Sequence, residues 1–163
     1  TVFASELVRR FREQRPGVLL GMVFFNFKGE STQGPTTLLK SIVYQIAKSY
    51  PSICGDILEV VKEINETTVD GIFDRILLKA LELVASKQPS QKHLIIFDAL
   101  DECGLEGSQA RRDLLQLFQR QFLRKLPAGV KLFVTGRPER DIDKALIEYA
   151  HKIEDTDPRH LED

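Results

Sequence analysis

Cysteine is scarce in this chain. Its two cysteines, Cys54 and Cys103, stand in no CxxC pair and share no metal-ligand spacing with a histidine. That suits free thiols in a reducing compartment and gives no support for zinc. An excess of charge is lacking too: 23 basic and 24 acidic residues leave a net charge of -1. The chain therefore carries no overall electrostatic footprint for nucleic acid. Long apolar runs are absent, the longest being Val18 to Phe25, which is far too short to span a bilayer. The N-terminus shows no secretory signal, and there is no internal repeat or low-complexity segment. The three histidines, His93, His151 and His160, are scattered, which favours structural or surface roles over catalysis. Methionine occurs once, at Met22, so Thr1 reads as something other than a translation start. The expectation is a fragment or a processed product.

What is present is a globular composition. A length of 163 residues, 42% hydrophobic and 29% charged, predicts one domain with a substantial core. Its organising stretch is His93 to Cys103, HLIIFDALDEC. The apolar run Leu94-Ile95-Ile96-Phe97 suits a strand buried on both faces of a parallel sheet. It ends in three carboxylates, Asp98, Asp101 and Glu102. Ligands of open α/β sheets lie just beyond the carboxyl ends of the strands. Acids gathered there are hard oxygen ligands suited to Mg²⁺ and the phosphates it accompanies. Acids after a strand also cap helices or sit solvated in turns, and these carboxylates alone do not choose between the two readings.

Along the chain, residues 1 to 14 predict a helix with Leu7, Val8 and Phe11 on one face, broken by Arg15-Pro16-Gly17. Val18 to Phe27 predicts a strand, and Lys28 to Pro35 a loop. Thr36 to Tyr50 predicts an amphipathic helix that carries Leu38, Leu39, Ile42, Val43 and Ile46 inward. Two more helices follow, Ile53 to Ile64 and Val69 to Lys87. After the carboxylate strand, Ala110 to Lys125 predicts a helix with Leu114, Leu115, Leu117, Phe118 and Phe122 apolar. Its outer side takes a basic character from Arg111, Arg112, Arg120, Arg124 and Lys125, read first as a solvated face and second as a partner-binding one. Val130 to Thr135 predicts another buried strand, ended by Gly136-Arg137-Pro138-Glu139. Asp141 to Ala150 reads as a short helix and His151 to Glu154 as a short strand, before an acidic tail. Strands alternating with helices predict an α/β fold with a mainly parallel sheet and right-handed crossovers.

The order of these features resembles the NTPase domain of STAND signalling proteins, specifically the NACHT and nephrocystin-like group of P-loop NTPases. Val23-Phe24-Phe25-Asn26-Phe27 looks like that group's aromatic second strand, and Thr37 to Ile46 like the helix after it. IIFDALDEC is very close to its extended Walker B motif. VKLFVTGRPE, Val130 to Glu139, looks like its sensor strand, which usually ends Thr-Ser-Arg-Pro-Glu; here Gly136 replaces the serine. The resemblance implies a three-layer α/β/α fold. No Gly-x-x-x-x-Gly-Lys-Ser/Thr stands in the sequence, although the family opens with it. Residues 1–163 are therefore read as one partial domain that begins just after the Gly-Lys and lacks the first strand, with Thr1 as the hydroxyl residue of that loop.

The resemblance also implies roles. Asp98 and Thr1 would hold Mg²⁺, Asp98 through water; Asp101 or Glu102 would orient or deprotonate the attacking water. Arg137 would sense the terminal phosphate of ATP or GTP; its alternative is an ion pair with Glu139 or Asp101. Cys103 reads as a small buried residue rather than a nucleophile. The implied function is a cytoplasmic, Mg-dependent nucleotide switch that hydrolyses ATP or GTP in the full-length protein and partners other domains or proteins through oligomerisation. The isolated chain is expected to bind nucleotide weakly or not at all. A non-catalytic interaction domain and a AAA+-like remodelling ATPase are the alternatives. Without the first strand, the strands near 18–27, 94–98 and 130–135 should form a contiguous set, and that near 151–154 should have lost its neighbour.

Overall fold

The computed structural model describes residues 2–15, 17–26, 34–63 and 68–148. In it, three strands, β1 (Leu19–Phe24), β2 (His93–Asp98) and β3 (Val130–Val134), form an all-parallel open sheet in the order β1-β2-β3. The helices are α1 (Val2–Gln14), α2 (Pro35–Ser49), α3 (Cys54–Glu63), α4 (69–87), α5 (109–125) and α6 (Arg140–Leu146). The fold is α/β, a small parallel sheet among helices, consistent with a P-loop-like α/β/α architecture. The three expected strands are indeed contiguous, with β2 in the middle. The expected strand His151 to Glu154, the end of the preceding helix, Thr1, and most of the loop after β1 lie outside the described residues.

Local chemistry sets the helix limits. Pro35 sits in the first turn of α2, where its missing N–H is no loss, and Pro51 follows its end. Thr68 caps α4 by accepting the Gly71 N–H, and Ser108 caps α5 by accepting that of Arg111. Helix α3 is preceded by a 3₁₀ turn, Pro51–Ile53, where the sequence pattern suggested α-helix from Ile53.

Each of α4 and α5 contains a π-helical stretch, Ile72–Leu77 and Phe118–Phe122, which a 3.6-residue pattern cannot show. The two stretches pack together. Phe73 meets Phe122 edge-on at 5.1 Å, and the buried Gln121 donates to Asp70 at 2.7 Å.

Central strand β2 is buried along nearly its whole length, as its apolar run required. Ile95 and Phe97 belong to the main core with residues of α2, α4 and α5. Phe97 packs edge-on against Phe118 at 4.7 Å and Phe122 at 5.3 Å. Gly21 lets α2 approach this face of β1, since a Cβ there would lie 3.3 Å from Ile42. Successive strand residues face opposite sides, so Met22 lies on the other face, where the Arg12 guanidinium of α1 reaches its sulfur at 3.9 Å.

Among the described residues β1 is an edge strand, and α2 covers it at Met22. The Gln45 side chain accepts from the Met22 N–H and donates to the Met22 carbonyl, both at 2.9 Å. Its amide stands in for a neighbouring strand. At the amino end of the sheet, Gly17, with φ +86°, offers its carbonyl to both the Tyr50 hydroxyl and the His93 ring. Burial pushes the His93 imidazole below its ordinary pKa.

Candidate functional site

The carboxyl ends of β2 and β3 lie side by side, because the strands are parallel neighbours with Phe97 opposite Val134. Asp98, the last residue of β2, is 1% exposed and accepts a hydrogen bond from the Thr135 hydroxyl. A buried carboxylate needs such donors. Directly after it, Ala99 takes the left-handed conformation, φ +58°, uncommon for a residue with a side chain. Its N–H donates to the Thr135 hydroxyl at 3.1 Å. That sharp turn folds the 3₁₀ stretch Leu100–Glu102 over the tip of β3, where the Leu100 N–H reaches the Thr135 carbonyl at 2.8 Å.

Asp101, at 9% side-chain exposure, accepts the Arg137 N–H at 3.1 Å. The approach is close at Gly136, where a Cβ would lie 3.2 Å from the Asp101 carboxylate and 3.3 Å from its nitrogen. The Arg137 side chain is 84% exposed and meets Asp101 at 3.7 Å, a long contact. The sheet thus brings Asp98, Asp101, Glu102 and Arg137 to one end of two adjacent strands. Thr1 is outside the described residues.

Arg111 was missed as a site residue. Expected on the solvated basic face of its helix, it is instead 1% exposed. Its guanidinium makes a two-pronged pair with Asp141, both contacts 2.7 Å, and a further pair with Glu139. Its remaining donors reach the carbonyls of Asp101 at 3.1 Å and Gly104 at 3.3 Å. All the N–H groups an arginine possesses are therefore engaged. Burial alone would lower the pKa of this group, but Asp141 and Glu139 outweigh it and hold the guanidinium above its ordinary value. In turn, the Arg111 hydrogen bonds hold the Asp141 carboxyl below the usual range. The sequence did contain a signal. Arg111 stands three and four residues before Leu114 and Leu115 and seven before Phe118, on the apolar stripe of its helix.

Above these groups lies an open cleft of about 330 Å³, lined by Asp101, Glu102, Leu105, Glu106, Arg111 and Arg137 among others. Cys103, below it, is 5% exposed, and burial pushes its thiol up to about 11, so it is protonated at neutral pH. Among the described residues, no cluster of three or more acidic, histidine or cysteine side chains is placed to share a metal ion. The donor set does not build an all-protein metal cage. Its carboxylates, Asp98, Asp101 and Glu102, are hard oxygen donors.

The family model described as Nephrocystin 3, N-terminal, matches residues 1–137, from α1 through β3 to Arg137. No curated protein and no solved structure matches the chain.

Proposed function

The chain belongs to the nephrocystin 3 N-terminal family, and on that premise we propose that it is the switch region of a Mg-dependent nucleotide-binding domain. The observation that supports this reading is the pairing of an acidic tip on β2 with an arginine tip on the adjacent parallel strand β3. Asp98 would bind the ion through water, with the Thr135 hydroxyl fixing the orientation of its carboxylate. Asp101 and Glu102 would orient an attacking water at the mouth of the cleft. Arg137, exposed and only loosely held, would swing to a terminal phosphate, which a guanidinium can grip with two donors. Thr1 would supply a hydroxyl to the same ion. The ion, when bound, supplies neutralisation of phosphate charge.

With contacts to the last phosphate made or lost, the segment after β3 would move, and the domain would report nucleotide state to neighbouring domains or to an oligomer. No helix of the described residues is long and apolar enough to cross a membrane.

The test is a titration with fluorescent ATP and GTP analogues, with and without Mg²⁺. It uses this chain and a longer form in which a Gly-x-x-x-x-Gly-Lys loop precedes Thr1. The longer form should bind in a Mg-dependent way, lose that dependence with Asp98→Asn, and lose its preference for triphosphate with Arg137→Ala. This chain alone should bind weakly or not at all. Failure of the longer form to bind would favour a non-catalytic interaction domain. Micromolar binding by this chain, unaffected by Asp98→Asn, would place any nucleotide elsewhere.

A further inference from the structure

We propose that Arg111 is the positioning residue of this site: one buried guanidinium ties the acidic turn after β2 to the segment after β3 and sets where Asp101 meets Arg137. The inference deepens the nucleotide reading and rests on it only for the use to which the geometry is put; the geometry itself is tested without nucleotide.

The placement of the acceptors carries the argument. One terminal nitrogen of Arg111 holds the carbonyls of Asp101 and Gly104, within and just beyond the turn that carries the acids. The other side of the fork holds Glu139 and Asp141, two and four residues after Arg137. A single rigid, planar group therefore touches both halves of the cleft. Helix α5 fixes it in turn, since Arg111 lies in the first turn and its own N–H is held by the Ser108 cap. The carboxylates add a second reason. Without the cation, Glu139 and Asp141 would lose the group that ties them to the carbonyls of Asp101 and Gly104, and two carboxylates would be left beside each other unpaired. Asp101 accepts the Arg137 N–H only while the turn and the segment after β3 stay together.

Other contacts also hold the strand tips, notably Leu100 N–H to the Thr135 carbonyl and Ala99 N–H to the Thr135 hydroxyl. The proposal is that these fix the base of the turn, whereas Arg111 fixes Asp101 and what lies beyond it. Arg111→Lys separates the two contributions. Lysine keeps the charge but, as a point cation, cannot span acceptors from four residues on two segments.

Amide exchange followed by NMR reads the outcome. In the parent chain, the Arg137 amide should be protected by its hydrogen bond to the Asp101 carboxylate. In Arg111→Lys it should exchange about tenfold faster, equivalent to about 1.4 kcal/mol of local opening. The Met22 amide, held by Gln45 on the far strand, should stay unchanged. An unchanged Arg137 amide would overturn the proposal, because the strand ladder would then suffice. Equal acceleration at Met22 would also overturn it, as the role would be general stability. Should Arg111→Lys not fold, Asp141→Asn removes the two-pronged pair at a side chain 32% exposed. It should give the same local signature, and its absence would count equally against the proposal. Nucleotide binding can fail without touching this result, and the reverse holds as well.

Discussion

Two arginines stand at the same end of the sheet and behave in opposite ways. Arg111 is sunk beneath the cleft with every N–H taken by four neighbouring residues. Arg137 lies in the open above it, with one long contact to Asp101. The contrast separates a cation that organises a site from a cation still available to a ligand. Burial desolvates the first and makes its partners obligatory, whereas water screens the second and leaves it mobile.

The largest effect expected from this contrast is on Arg111→Met. Removing one member of a buried ion network leaves Glu139 and Asp141 uncompensated, and urea unfolding should show a loss of about 3–5 kcal/mol. A loss below about 1 kcal/mol would erase the distinction between the two arginines. The same variant changes the response to acid. Asp141 has a depressed folded-state pKa, so it adds stability above its unfolded value of about 3.9. That stability is lost as pH falls through the folded value. Parent protein should therefore weaken more steeply than Arg111→Met below about pH 4.

Next comes Thr135→Val, which strips a hydroxyl from the buried Asp98 and from the Ala99 N–H. A cost of about 1–3 kcal/mol is expected from denaturant midpoints. It would show that the base of the turn has its own anchor, separate from Arg111. Gly136→Ala should follow at about 1–2 kcal/mol, because the added methyl presses on Asp101, main chain included. A neutral result would mean that the two segments part easily. Smallest is Arg137→Ala, which should shift stability by no more than about 0.5 kcal/mol while leaving the fold intact by circular dichroism. A larger loss would make Arg137 a structural residue like its buried counterpart.

Much of the framework could be read from residue order, because β2 carries the apolar run Leu94–Phe97 and the helices carry clean apolar stripes. The neighbouring positions of β2 and β3 came instead from the family resemblance, which implied the strand order that the sheet shows. The site was legible only in part. Asp98, Asp101, Glu102 and Arg137 stood out since charges at strand ends are conspicuous. Arg111 did not, because four other cations on the same helix, Arg112, Arg120, Arg124 and Lys125, made it look like one more solvated charge. Only its position on the apolar stripe set it apart, and its carboxylate partners lie about thirty residues downstream, with separations of 28 and 30. The left-handed turn at Ala99 was equally hidden, since nothing about an alanine advertises positive φ. Nor did the sequence announce the paired π-helical stretches, one of which holds the buried Gln121 beside Phe122.

Gln45 has a consequence for how this domain can join anything else by main-chain pairing. By occupying both polar groups of Met22, it blunts the β1 side of the sheet as a template. Among the described residues, β3 has a strand beside it on one flank only. Of the sheet's two flanks, the β1 side is thus the one where a helix side chain already takes the place of a pairing strand.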